Sequence, residues 1–295
     1  MQTCVILNPN AGSAQDVTAL EAAIERLDGA VLRATEQPGD GQQIVREALA
    51  EGCGLIVAAG GDGTINEVVN GLAGHFEGVQ LGVIPVGTGN DFARSIDVPT
   101  EIEAAVELLR RRQTRLVDVV RVSSDSTRYF INVSAGGFSG LVDEKLTDAM
   151  KRSWGPLAYL RSAAMALPDL TNYHTLITFD DEERHEIQTY NIVIANARYV
   201  AGGIPIAPRA KLDDGLVDVL VVPTASMPQL ALLVPQILLG QHLDNELIVF
   251  RRARKVRVEA RPGMWFNADG ELVGNEPATF EVIPRALQVV VGPEA

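Results

Sequence analysis

The chain has little of what would tie it to an oxidising compartment, a nucleic acid or the interior of a bilayer. It has two cysteines in 295 residues, Cys4 and Cys53, each in or beside an apolar run. A secreted disulfide scaffold would carry more of them at regular spacing, so both read as reduced core residues. Basic residues are outnumbered: 25 Lys and Arg against 38 Asp and Glu leave a formal net charge of -13. Displacing counterions from nucleic acid takes a surface of the opposite sign, which argues against nucleic-acid binding and against broad adhesion to an anionic membrane. The longest apolar stretch, Leu230 to Leu239, is too short to span a bilayer and contains Pro235. No basic segment precedes the strand-like run after Met1-Gln2-Thr3, which predicts a chain without a signal peptide. The expected setting is the cytoplasm, with any membrane contact peripheral. His75, His174, His185 and His242 have no metal-ligand spacing, so zinc is not expected.

What is present is a change of rhythm near residue 120. In the first third, short apolar runs (Val5 to Leu7, Val31-Leu32, Leu55 to Ala59, Leu81 to Ile84) alternate with helix-period segments (Val17 to Leu27, Ile44 to Leu49, Ile65 to Leu72). That alternation predicts an α/β domain, a parallel sheet with helices on both faces, which binds ligands at the carboxyl ends of its strands. A helix over Glu101 to Arg112 closes it, and from Leu116 onward strands dominate: Tyr129 to Val133, Thr175 to Phe179, Tyr190 to Ala195, Val217 to Val222, Val256 to Glu259 and Ala278 to Ile283. Helical stretches near Val142 to Leu167 and Gln229 to Leu239 interrupt them. The reading is a nucleotide-binding α/β domain over 1–120 and a β-rich, antiparallel, sandwich-like domain over 121–295, whose last strand is free to pack back on the first domain.

Three loops carry the chemistry. Gly60-Gly61-Asp62-Gly63-Thr64 follows a strand and precedes a helix; its glycines let backbone N–H groups approach a ligand, and the helix end favours phosphate. Asp62 between them would repel phosphate unless it holds a cation or takes up a proton. Gly87-Thr88-Gly89-Asn90-Asp91-Phe92-Ala93-Arg94 occupies the equivalent place after the fourth strand, where Thr88 or Asn90 is otherwise a helix cap. Asn8-Pro9-Asn10-Ala11-Gly12-Ser13 follows the first strand. No Gly-x-x-x-x-Gly-Lys-[Ser/Thr] loop occurs, so a phosphate seat must come from these loops and Mg²⁺.

Together the three loops resemble the nucleotide-binding signature of the diacylglycerol kinase catalytic domain family, which includes bacterial lipid kinases and sphingosine and ceramide kinases. Two later segments extend the resemblance over nearly the whole chain: Lys211-Leu212-Asp213-Asp214-Gly215-Leu216 and Asn267-Ala268-Asp269-Gly270-Glu271. The resemblance implies an ATP-dependent kinase that phosphorylates a lipid hydroxyl, with diacylglycerol or a related lipid as partner and Mg²⁺ as cofactor. It implies ATP contacts at Asn8, Ser13, Thr35, Gly60, Gly61, Asp62, Gly63, Thr64, Ile65, Asn66 and Thr88. Asp91 and Asp118 are the remaining carboxylates for a Mg²⁺ and water network, with an outward polar residue on an alternating strand as the alternative for Asp118. The first loop departs from many relatives, with Ala14-Gln15 where they carry a basic residue.

Phosphoryl transfer rests on positioning, charge neutralisation and a proton acceptor on the attacking hydroxyl. Glu271 is expected to be that acceptor, with Asp269 beside it orienting water or Mg²⁺ and Asp62 the rival base. Strand alternation would put Asp269 and Glu271 on one face unless Gly270 bends the chain. The resemblance also implies a structural Mg²⁺ on the Asp214 carboxylate and the Lys211 and Leu216 carbonyls; a tight hairpin turn without metal is the alternative. An NAD kinase shares the Gly-Gly-Asp-Gly-Thr loop and remains a competing reading, as does a nucleotide-binding regulator without catalysis. The basic run Arg251 to Arg257 reads as the solvated face of a strand, and Met264-Trp265-Phe266 as core.

Overall fold

Apolar runs alternating with amphipathic segments fold here as parallel strands and the helices that connect them. The computed structural model describes residues 2–12, 17–27, 29–137, 170–275 and 277–293. They fall into two units, Met1–Val119 with Pro284–Ala295, and Val120–Ile283.

In the first unit, β1 (Gln2–Leu7), β2 (Ala30–Ala34), β3 (Cys53–Gly60) and β4 (Gln80–Pro85) are parallel in the spatial order β2-β1-β3-β4. The last residues of β15 (Ala278–Val290) add a further parallel strand beside β4, with Gln288 opposite Gln80. β1 and β3 are apolar almost throughout because the sheet is covered on both faces: α2 (Asp40–Ala50) packs with α3 (Asp62–Gly71), and α1 (Val17–Ile24) with α5 (Ile102–Arg111). The order reverses direction between β1 and β3, so their following loops leave toward opposite faces and open a crevice at the strand ends. Cys4 and Cys53 are buried free thiols, and burial pushes Cys4 up to about 11, which leaves it unreactive.

Several helix bounds differ from the sequence reading by one to three residues. α1 stops at Ile24 rather than Leu27, where Arg26 and Leu27 close the end with N–H bonds to residues three back. α3 starts at Asp62, two residues before Thr64, with Gly61 as its N-cap.

The second unit is antiparallel. β5 (Thr114–Ser123) enters it from the first unit and pairs β6 (Thr127–Phe130). Then come β7 (Val133–Gly137), β8 (Tyr173–Phe179), β9 (Glu183–Ala195), β10 (Val217–Pro223), helix α6 (Met227–Leu238), β11 (Val249–Ala253), β12 (Lys255–Arg261), β13 (Phe266–Ala268) and β14 (Glu271–Gly274). The spatial order is β14-β13-β7-β9-β8-β12-β15, with β10 joining β9 and β11. One core holds Phe130, Phe266 and Phe280, edge to face at 6.3 Å and 5.2 Å about Phe280. A second lies under α6, where Leu230 and Leu233 are buried and Leu233 packs in the cluster of Leu220 and Phe250. The helix expected over Val142 to Leu167 lies outside the described residues. Among the described residues no helix is long and apolar enough to cross a membrane.

Candidate active site

The three loops of the first unit touch one another, and glycine is what lets them. A Cβ on Gly87 would stand 2.3 Å from the Cα of Gly61, and one on Gly12 would stand 2.6 Å from Thr88 Oγ1. Gly60 is filled from within its own loop, because a Cβ there would meet Thr64 Oγ1 at 2.2 Å. The first loop is shaped by Asn8, whose Oδ1 accepts the Asn10 N–H at 3.0 Å while its own N–H donates to the Ala59 carbonyl at 3.1 Å. Ser13 lies outside the described residues. Thr35 at the end of β2 is buried and donates both its N–H (2.9 Å) and its hydroxyl (3.4 Å) to the Leu7 carbonyl. Asn8, Asn10, Thr35, Glu36, Gln37, Pro38, Thr64 and Glu67 line a cavity of about 220 Å³.

Asp62 has a more definite task than its sequence position reveals. Its two carboxylate oxygens accept the N–H groups of Asp91 (3.1 Å) and Phe92 (3.0 Å), at the start of α4 (Asp91–Ser95). It caps one helix while sitting in the first turn of another, and so fastens the Gly60 loop to the Gly87 loop. Asn90 holds the N-cap position of α4 but turns its amide back, accepting from the Gly87 N–H at 3.0 Å and donating to the Gly87 carbonyl at 2.8 Å. With φ of 53° it closes the loop in the left-handed region that asparagine tolerates. Thr88 is exposed as a residue but its Oγ1 lies against Gly12, whereas Ile65 and Asn66 are buried. Asp91 is buried under Asp62, and Ser95 donates to its carbonyl at 3.0 Å. Asp118 is fully buried and accepts the Arg285 N–H at 2.6 Å, holding a residue of β15 whose φ is 49°.

In the second unit Asp269 and Glu271 do not alternate along one strand, as their spacing implied. Ala268 pairs with Glu271 across a two-residue turn in which Asp269 and Gly270 have φ of 47° and 88°. Two left-handed residues in a row make the hairpin turn that Asp-Gly favours, and it reverses the chain between the two acids. The Asp269 carboxylate accepts the N–H groups of Ile131 (3.0 Å), Asn132 (3.1 Å) and Val133 (2.9 Å). Those three amides lie where the expected strand Tyr129 to Val133 breaks into β6 and β7: pulled toward one carboxylate, they cannot also keep a ladder. The Glu271 side chain is exposed and, among the described residues, makes no hydrogen bond or ion pair. Met264 and Phe266 are core, but Trp265 is half exposed.

At the Lys211 to Leu216 turn, Asp214 accepts the Leu216 N–H at 3.2 Å and pairs with the Arg252 guanidinium. Arg252 also reaches Asp218 Oδ1 at 3.0 Å. Asp218 is buried, burial pushes its carboxyl above the usual range, and its second oxygen has no partner among the described residues. Two acids therefore share one guanidinium, which already balances their charge, and one buried Asp218 oxygen is left without a hydrogen bond among the described residues. Among the described residues no group of three or more His, Cys, Asp and Glu side chains converges as a metal cluster. Arg252 thus has a buried partner, which its place in a basic run did not disclose.

Residues 2–122 match the diacylglycerol kinase catalytic domain, and residues 132–291 the YegS C-terminal NAD kinase beta sandwich-like domain. A diacylglycerol kinase of Staphylococcus carnosus (strain TM300) is 32% identical over 290 residues, covering 97% of this chain and 93% of the relative. One from Bacillus subtilis (strain 168) is 33% identical over 296 residues, covering 98% and 96%. Among solved structures, a candidate diacylglycerol kinase from Bacillus anthracis (strain Sterne) superposes with a TM-score of 0.85 at 26% identity, covering 99% of this chain and 96% of that one.

Proposed function

Because the chain belongs to the diacylglycerol kinase catalytic domain family, we propose that it transfers the γ-phosphate of ATP to the hydroxyl of a lipid, diacylglycerol or a close relative. The observation that carries this reading is the glycine-to-glycine closure of the three loops at the strand ends, fastened by Asp62. It brings the free N–H groups of the first turn of α3 to the crevice, where they are seats for phosphate oxygens. Gly60, Gly61, Gly63 and Thr64 hold the phosphates, with backbone of Ile65 and Asn66 behind them. The cavity at Asn8 and Thr35 is smaller than the about 300–1,000 Å³ of a whole small-molecule site and takes the base or ribose. Thr88 offers a hydroxyl beside Gly12, and Ser13, next in sequence after Gly12, is a further candidate contact.

Glu271 is the proton acceptor for the lipid hydroxyl. Of the late motif's two acids it is the one whose carboxylate has no hydrogen bond among the described residues, and an acceptor must have a lone pair to spare. Asp269 acts through the hairpin, fixing where Glu271 stands. Asp62, whose oxygens are already committed to two amides, organises the loops and is not the base. Asp91, beside the Gly87 loop, is the carboxylate that would help hold a Mg²⁺ brought with ATP, which would neutralise phosphate charge. A second, structural cation on the Asp214 carboxylate with the Lys211 and Leu216 carbonyls would have to displace the Arg252 guanidinium that pairs with Asp214. The acceptor resides in a bilayer, so the working contact with the membrane is peripheral.

The test is turnover of purified protein with Mg-ATP and a panel of diacylglycerol, sphingosine, ceramide and NAD. Lipid phosphorylation is expected. Turnover on NAD alone would replace the lipid reading with an NAD kinase, and ATP binding without turnover would leave a regulator. Glu271→Ala should lower kcat by about a hundredfold or more, in the range of general-base catalysis, with ATP affinity held.

A further inference from the structure

One acid on α3 lines the cavity at Asn8 and Thr35. Glu67 lies on α3 with Asp62 and Thr64, yet its carboxylate points to a different element. Its Oε1 accepts the Gly39 N–H at 2.9 Å and its Oε2 the Gly41 N–H at 2.8 Å. These amides flank the start of α2, whose N-cap Gly39 has φ of 92° and no side-chain cap of its own. Glycine at 41 permits the approach, since a Cβ there would stand 2.6 Å from Glu67 Oε2. The backbone of the turn can be accounted for amide by amide. Asp40 Oδ2 accepts the N–H groups of Glu36 and Gln37, both at 2.9 Å; Pro38 has none; Gly39 and Gly41 go to Glu67; Asp40 donates to the Gln37 carbonyl at 3.3 Å. The turn is therefore rigid within itself, and Glu67 is the side chain that ties it to α3. Glu36, Gln37 and Pro38 are also one wall of the cavity at Asn8 and Thr35.

We propose that Glu67 is a positioning residue for the nucleotide: it holds the Glu36–Pro38 wall at a fixed distance from the phosphate loop, so that base or ribose and phosphates are gripped in register. This rests on the reading of the cavity as the ATP site. An ionised carboxylate accepting two amides is a strong anchor, and replacing it by an amide sets an NH₂ donor against one of the N–H groups. Glu67→Gln should release the wall while leaving Asp62 to Thr64 in place.

The experiment measures kcat, KM for ATP and KM for diacylglycerol in mixed micelles for the wild type, Glu67→Gln and Pro38→Gly, with a melting curve for each. Pro38→Gly loosens the same wall without touching α3. Both variants are expected to raise KM for ATP by about tenfold, to change kcat by less than about threefold and to leave KM for the lipid alone. A folded Glu67→Gln with KM for ATP within about twofold of wild type, or with kcat lost and KM intact, overturns the assignment. If Glu67→Gln does not fold, an unchanged KM for ATP in Pro38→Gly overturns it instead. Failure of the underlying reading is separately visible, because the wild type itself would then not use ATP.

Discussion

Gly63 and Gly87 lie in neighbouring loops and are glycine for different reasons. Gly87 is pressed against Gly61, so a methyl group has no room; a methyl group on Gly63 would meet nothing within 4 Å beyond its chain neighbours and its own helix backbone. Gly87→Ala should therefore lose both stability, by about 1–3 kcal/mol for an overpacked contact, and ATP affinity as the loops part. Gly63→Ala, in the first turn of a helix, should gain about 0.5–1 kcal/mol and still lose ATP affinity if phosphate fills the space. Melting curves and ATP titrations on both variants separate the cases. A Gly63→Ala protein that binds ATP like wild type would move the phosphates away from this loop. The acids teach the same lesson. Asp62, Asp269 and Glu271 are alike on paper, but two of them are spent on backbone amides and one is not.

At the scale of elements, α6 and the segment after it show how a buried polar group ties stability to pH. His242 is fully buried; its Nε2 bonds the Ile206 carbonyl at 2.8 Å, yet desolvation outweighs that bond and keeps the imidazole below its usual pKa. The folded chain therefore holds His242 neutral, while the unfolded chain takes up a proton near pH 6.5. Stability is fully present above that value and falls as pH drops below it. Between pH 7.5 and 5.5 the melting temperature should decline, and His242→Gln should flatten the decline; equal slopes would clear His242 of the effect. Most elements with a clear apolar period were legible, because that period is a local property, whereas short strands such as β7, β11 and β13 were not. Element ends were less legible. The strand expected over Tyr129 to Val133 breaks because a carboxylate more than 130 residues away takes its amides, and no local pattern records that.

For the whole molecule, the consequential feature is that the first unit is not continuous in sequence. Residues 284–295 belong to it, and Leu287, Val289, Val290 and Val291 are buried. At about 1.5–3 kcal/mol each, these four side chains amount to the whole 5–15 kcal/mol that holds an ordinary domain folded. A chain cut after Ile283 should lose the cooperative melting transition of the first unit and with it ATP binding; calorimetry and an ATP titration check this. Retention of both would mean that the strand added beside β4 is dispensable.

The sequence by itself determined the two-unit plan, the strand and helix types and the order of the three glycine loops. It also supplied the identity of the late acidic motif. Each of these depends on periodicity or on the backbone freedom of glycine, which neighbours along the chain are enough to set. Only the tertiary structure decided which acids are occupied: Asp62 by α4, Asp269 by the β6–β7 break, Asp214 and Asp218 by Arg252, Glu67 by the turn before α2. A carboxylate's role follows from which donors reach it, and those donors come from elsewhere in the chain.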